Sequence, residues 1–381
     1  MQKASWILDN KRILILTADA GFGHRRAAEA IASALTEIYA ERCQVVVMNP
    51  LDEADAPNLI RQLEEGYDEM VMEDQTLYNI AYHALEVPVV SEFAKVVATR
   101  LLDDVMLRIV SQSGYDAIVT TYPTYTQPVA RALKKTEQDV PVAVVITDLT
   151  DVQRIWYSRS ATIHFVPTAQ IRQQAYENNI PATQVRVTGL PVHPNFANET
   201  RDQAELRHHL GWDASKTTGL IVASIRTQQM ATLSRMLDRA GMNLQLAVVC
   251  GGDRDLYTSL QSEHWRGDVY LYDWVEEMPQ LMKASDFIIS KAGGVVVSEA
   301  LACGLPLIIP EALPGQEVGN VRYVVQNKAG AWSPGPAEVL VAVHSWLSGD
   351  PPQLHQMRKN AQELGRPRAA FEIAERVWGL A

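Results

Sequence analysis

The sequence predicts an α/β protein built from two doubly wound, Rossmann-like parallel sheets, and three observations carry that prediction. Short aliphatic and β-branched runs alternate with helical stretches almost throughout, which calls for parallel strands covered by helices on both faces. The chain of 381 residues, 47% hydrophobic and 21% charged, is long enough for two domains of ordinary size. The alternation also restarts after Pro191-Val192-His193-Pro194-Asn195-Phe196, a Pro-punctuated segment that runs into charged residues from Glu199 to Arg207 and reads as a linker.

Strands are predicted at 12–17, 44–48, 117–120, 142–146, 163–166 and 185–188 in the first half. The second half repeats the pattern at 219–223, 244–250, 269–271, 287–290 and 307–309. The expected domains are 1–196 and 197–359, and residues 353–380 have the spacing of amphipathic helix. The last helix, from about 360 to 381, is expected to pack back on the first domain. Open parallel sheets bind ligands at the carboxyl ends of their strands, so two of them facing a central cleft place the ligands there.

Composition narrows the partners. A net charge of −11 argues against nucleic acid, whose phosphates need a basic surface. Arg25-Arg26, Lys134-Lys135 and Arg366-Pro367-Arg368 are local exceptions, and each reads first as a solvated face. No run approaches eighteen apolar residues, and Met1-Gln2-Lys3-Ala4-Ser5-Trp6 leads into a charged turn without a signal-peptide core, so a cytoplasmic or peripheral membrane location is expected. Cys43, Cys250 and Cys303 lie far apart in apolar contexts and read as core residues, without a disulfide frame or zinc site. Asp253-Arg254-Asp255 has the form of a metal-binding acid pair, but at a strand-to-helix turn it reads as an N-cap.

The most informative stretch runs from Ile288 to Val325. It reads as strand, the glycine turn Lys291-Ala292-Gly293-Gly294, helix, strand, and a second loop-to-helix junction at Gln316-Glu317-Val318-Gly319-Asn320. Glycines ahead of a helix N-terminus let the backbone N–H groups of Gly293, Gly294 and Val295 approach a diphosphate, and the helix dipole favours the anion. Glu299, expected near the first turn of that helix, suits a ribose diol. Gln316, Glu317 and Asn320 offer donors and acceptors to sugar hydroxyls. The plainer reading of the two glutamates, as N-terminal helix acids, weakens when four polar groups share two adjacent junctions.

In the first half, the opening strand leads into Asp19-Ala20-Gly21-Phe22-Gly23-His24 and then a helix. A His at a helix start, five residues after an Asp, suits a general base whose imidazole the carboxylate orients; a capping turn is the simpler alternative. The stretch from Thr76 to Leu107, with Tyr78 and Tyr82, is rich in aromatic and aliphatic residues. It reads either as core or as an apolar lip that admits a lipid.

The loop Asp19-Ala20-Gly21-Phe22-Gly23-His24-Arg25, continuing Ala28-Glu29-Ala30-Ile31, resembles the opening motif of the monogalactosyldiacylglycerol synthase family, and the stretch from Lys291 to Val325 resembles its donor site. Thr147-Asp148-Leu149 with Trp156, and Val187-Thr188-Gly189-Leu190-Pro191-Val192, fall between them in family order, so the resemblance spans nearly the whole chain. It implies a GT-B fold and an inverting transferase without a catalytic metal or further cofactor, moving galactose or glucose from UDP-galactose or UDP-glucose to 1,2-diacylglycerol on the cytoplasmic face of a membrane. It implies that Asp19 and His24 handle the acceptor hydroxyl, that Lys291, Gly293, Gly294, Val295, Glu299, Gln316, Glu317 and Asn320 hold the donor, and that the backbone of Val275 meets the uracil.

Departures from the family pattern are local. A loop usually rich in glycine reads Ala223-Ser224-Ile225-Arg226-Thr227-Gln228, where Arg226 or Ser224 stands available to a phosphate. Tyr122-Pro123 replaces His-Pro, Gln153 a common His, and His193 a common Arg. Three alternatives stay open: another lipid acceptor, as in the related N-acetylglucosaminyltransferases; a sugar-nucleotide epimerase; and a non-catalytic UDP-sugar sensor.

Overall fold

The structure is a computed structural model that describes residues 10–19, 23–53, 88–111, 114–223, 229–315, 317–348 and 353–381. It divides into two compact units, Met1–Pro194 with Arg368–Ala381, and Asn195–Pro367.

The first unit holds a six-stranded parallel sheet of β1 Lys11–Leu16, β2 Cys43–Met48, β3 Ala117–Thr120, β4 Val142–Val145, β5 Ile163–Val166 and β6 Val185–Val187, ordered β2-β1-β3-β4-β5-β6. Ile13 to Leu16, β3, β4 and β5 are buried on both faces, as parallel strands under two helix layers must be. That burial is why they read as continuous apolar runs in the sequence. The second unit repeats the plan with β7 Thr217–Val222, β8 Leu244–Val249, β9 Val269–Tyr272, β10 Phe287–Ile289, β11 Leu307–Ile309 and β12 Gly330–Trp332, ordered β12-β11-β10-β7-β8-β9.

In each sheet the strand order reverses once, between β1 and β3 and between β7 and β10. Such a switch point leaves a crevice at the carboxyl ends of the two strands, because the flanking connections run to opposite sides. The loop bearing Asp19 leaves β1 at the first switch point, and the Lys291–Gly294 turn leaves β10 at the second.

Two expectations need correction. The edge strand β12 was not predicted, because three residues including Gly330 and Ala331 carry little strand signal. The glycine is required by contact, since a Cβ there would stand 2.1 Å from the Leu307 carbonyl oxygen. The single helix expected from about 360 to 381 is split between Gln353–Leu364 and Ala369–Leu380. Gly365 presses on the Leu301 carbonyl, where a Cβ would lie 2.3 Å away, and Pro367 has no N–H to continue the helix. Gln353–Leu364 packs within the second unit, and Ala369–Leu380 packs on Gly23–Tyr39 in the first. That second contact is pinned by Trp378, which stacks on Tyr39 at 3.9 Å and lies under the Lys11 ammonium at 4.8 Å.

Candidate functional site

At the carboxyl edge of the first sheet, three adjacent strands deliver the groups around His24. The helix Gly23–Tyr39 after β1 brings His24 itself, the turn after β3 brings Thr121 and Tyr122, and the segment after β4 brings Thr147 and Trp156. The Tyr122 ring meets the imidazole edge-on at 5.1 Å, and Trp156 lies tilted at 5.9 Å. Thr121 donates its hydroxyl to the His24 carbonyl at 3.0 Å and lies 3.0 Å from the Thr17 hydroxyl, which ties the helix start to β1 and β3.

The Thr147 hydroxyl stands 2.9 Å from Nδ1 of the imidazole. Burial pushes the imidazole pKa down to about 4, with a hydrogen bond from the ring to the Thr121 backbone carbonyl opposing the shift. At neutral pH the ring is therefore uncharged and able to accept a proton.

The sequence predicts that Asp19 orients this ring, and the structure assigns Asp19 elsewhere. Its carboxylate forms a two-pronged ion pair with Arg25, through Nε and through Nη2 at 2.7 Å, and Asn49 donates to it at 3.4 Å. The Arg25 hydrogen bond is the main reason its pKa is lowered, against burial. The spacing of five residues set Asp19 near the helix start, but a guanidinium on the next residue competes better for a carboxylate than an imidazole does. Asn49 was not singled out in the sequence. It accepts from the Tyr125 hydroxyl at 3.0 Å and from Leu51 N–H at 3.1 Å, and so joins the Asp19 cluster to the turn behind Tyr122. Gly23 opens the His24 helix. Gly21, Phe22, Tyr78 and Tyr82 lie outside the described residues.

In the second unit, Lys291, Gly293, Gly294, Glu317 and Asn320 come together where the β10 turn and the loop after β11 are laced to each other. Ala292 N–H donates to the Glu311 carbonyl at 3.1 Å, and the buried Asn320 amide donates to the Ala292 carbonyl at 2.9 Å. Lys291 pairs with Glu317 at 3.2 Å, and the other Glu317 oxygen accepts from Leu313 N–H at 2.9 Å. Gly293 precedes the helix Gly294–Ala302 at φ −62°, a conformation open to any residue, and a Cβ there would meet Glu317, Lys291 and Val296 at 3.6 Å without clash. The fold does not demand a glycine here. Its effect is to leave the space above the helix N-terminus open, where an anion would sit.

Glu299 is not in the first turn of that helix but in its second, and is buried. The helix begins at Gly294 because the turn takes up the residues before it. Val275 follows β9 and is partly exposed, next to the exposed Trp274. Glu311, which the sequence did not single out, joins this cluster with its pKa raised, first by burial and then by the Glu317 charge. Gln316, Ser224 and Arg226 lie outside the described residues. Asp253 accepts from Leu256 N–H at 2.9 Å as the N-cap of Arg254–Gln261. Among the described residues no three His, Cys, Asp or Glu side chains gather as metal ligands, and no helix is long and apolar enough to cross a membrane.

Comparison with known proteins finds matches over both units. The profile of the monogalactosyldiacylglycerol (MGDG) synthase family matches residues 24–192, and that of glycosyl transferases group 1 matches residues 205–364. Probable monogalactosyldiacylglycerol synthase 2 of Oryza sativa subsp. indica is 30% identical over 380 residues, covering 97% of this chain and 81% of its own. The chain belongs to the monogalactosyldiacylglycerol synthase family. Monogalactosyldiacylglycerol synthase 1 of Arabidopsis thaliana is 29% identical over 95% of this chain and 70% of its own. Among solved structures, Acinetobacter baumannii MurG superposes with a TM-score of 0.60 at 16% identity, over 97% of this chain and 99% of its own. The S. aureus MnaA–UDP structure gives 0.59 at 17% identity, over 95% and 94%. These likenesses show the GT-B fold, and membership of the synthase family makes the chain a UDP-sugar-dependent glycosyltransferase of that fold.

Proposed function

We propose that this enzyme transfers galactose or glucose from the UDP-sugar to 1,2-diacylglycerol at the cytoplasmic surface of a membrane, giving a β-linked glycosyldiacylglycerol. The observation that carries the reading is His24, a neutral imidazole in an aromatic wall at the carboxyl edge of the first sheet. In the reaction, His24 takes the proton of the acceptor hydroxyl as its oxygen bonds to the anomeric carbon on the face opposite UDP. The bond from that carbon to the diphosphate oxygen breaks, and UDP leaves with the electron pair. The backbone N–H groups of Gly293, Gly294 and Val295, at the N-terminus of Gly294–Ala302, suit the growing charge on the diphosphate without a metal ion. Glu299 is assigned to the ribose, and Glu317, with Gln316, to the sugar.

Support for a lipid acceptor comes from the helix Pro88–Leu101. Phe93 is 70% exposed, and Val90, Val96 and Val97 share its face at 39%, 49% and 37%. The helix packs against the short turns Pro123–Tyr125 and Arg154–Trp156, beside the Tyr122 and Trp156 rings that touch His24. An apolar helix face next to the base suits an acceptor that arrives from a bilayer.

Incubation with diacylglycerol liposomes and either UDP-galactose or UDP-glucose, with chelator present, tests the proposal. A β-glycosyldiacylglycerol is expected. Interconversion of the sugar nucleotides, or transfer only to a different lipid, would replace this reading.

A further inference from the structure

We propose that Thr147 is the positioning residue for His24: its hydroxyl oxygen holds the proton on Nδ1, which leaves Nε2 as the nitrogen that takes the acceptor's proton. The inference rests on His24 acting as the base, and it names the device that aims it.

An imidazole base needs one nitrogen protonated and held so that the other presents its lone pair. Thr147 is buried, just past the end of β4, and its Oγ1 stands 2.9 Å from Nδ1. The group that would ordinarily do this work, a carboxylate, is committed to Arg25. Rotation of the ring is opposed by Tyr122 at its edge and Trp156 on its flank, and the Thr121 hydroxyl holds the His24 carbonyl, so the backbone is fixed as well.

A hydroxyl differs from a carboxylate in what it stabilises. It accepts from the neutral ring without adding a charge that would favour the imidazolium. The ring thus stays neutral before the substrate arrives, and the whole enzyme population is ready to accept a proton. The opposite orientation, with the Thr147 hydroxyl donating to Nδ1, would place the proton on Nε2 and remove the lone pair from use.

The test has a spectroscopic and a kinetic arm. In histidine-15N-labelled protein, the His24 signal is assigned by its loss in His24→Gln. We expect the Nδ1–H form in the wild type and in Thr147→Ser, and a mixed or Nε2–H form in Thr147→Val, which matches threonine in shape but has no oxygen. In single-turnover reactions at saturating donor, Thr147→Val should lower the rate about 10- to 100-fold, a fraction of a positioned base's usual contribution. Thr147→Ser should recover most of it, and donor affinity should stay unchanged in both. An Nε2–H tautomer in the wild type overturns the proposal. So does a Thr147→Val variant that keeps both tautomer and rate, or a Thr147→Ser variant that folds yet recovers neither. If the wild type transfers nothing to diacylglycerol, the proposed reaction fails, while the tautomer still decides whether Thr147 orients the ring.

Discussion

Acid should destabilise the first unit before the second, because two of its imidazoles resist protonation. His164, wholly buried on β5, has its pKa pushed down to about 4 by burial, as has His24. In the unfolded chain a histidine protonates near pH 6.5. Between the two values the unfolded state binds a proton that the folded state does not, so stability is intact above about pH 6.5 and falls as the pH drops toward 4. Each unit of separation is worth about 1.4 kcal/mol, so His164 alone should cost about 2–3 kcal/mol between pH 7 and pH 4.5. His24, also pushed down to about 4 by burial, adds a contribution of the same sign. The shifted acids of the second unit act differently. Glu199, held down to about 2 chiefly by its hydrogen bond with Arg201, loses its contribution only as the pH falls from about 4.5 toward 2. Glu311, raised by burial, favours folding slightly as the pH falls. Hydrogen exchange resolved by peptide, at pH 7, 6, 5 and 4.5 and corrected for intrinsic rates, reads the two units separately. Protection should fall in β4 and β5 while β8 keeps its own, and His164→Asn should flatten the decline. Equal loss in both units, or an unchanged slope in the variant, would show that these rings are not the cause.

Three further outcomes follow from the sites. His24→Ala should leave UDP-sugar binding nearly intact and lower single-turnover transfer about 10²- to 10⁴-fold, the usual contribution of a general base; near-normal turnover in a folded variant would remove His24 from that role. Gly293→Ala should fold normally, since its Cβ clears its neighbours at 3.6 Å, yet bind UDP at least about tenfold more weakly if the diphosphate occupies that space; calorimetric titration with UDP measures this. Glu299→Ala should weaken UDP itself, by about 1.5–3 kcal/mol for a charge-assisted contact, whereas Glu317→Ala should matter only with the sugar attached; equal losses with UDP alone would void the division of roles.

Strand positions in the two sheets were legible because parallel strands buried on both faces leave unbroken apolar runs, as in Ile13-Leu14-Ile15-Leu16 and Leu246-Ala247-Val248-Val249. The loop-to-helix junctions after β10 and β11 were legible because their glycines and polar groups are close in sequence. What escaped lacked a local signal. Gly330–Trp332 pairs at a sheet edge for reasons that lie in Leu307, and the helix break at Gly365 is set by Leu301, far away in the chain. Position within a helix also escaped: Glu299 falls in the second turn because the helix already begins at Gly294, within the glycine turn the sequence suggested.

The pairing of His24 was the least legible part, and the sheet order explains why. Thr147 lies 123 residues from His24 in the chain, and the two meet because β1 and β4 flank β3, an arrangement that alternating strands and helices do not reveal. Asp19 was favoured by proximity in sequence, but proximity equally favoured its capture by Arg25. The outcome changes what the first loop does. Asp19, Arg25 and Asn49 form a polar cluster that ties the helix start to the end of β2, while the His24 ring meets the Thr147 hydroxyl. Asp19→Asn should therefore act on the loop's stability more than on the base. An exposed ion pair of this kind is worth about 0–1 kcal/mol, so the variant should melt close to the wild type and keep the His24 tautomer. If Asp19→Asn instead shifts the tautomer as Thr147→Val is expected to, the carboxylate reaches the ring in solution and Thr147 is not its sole guide.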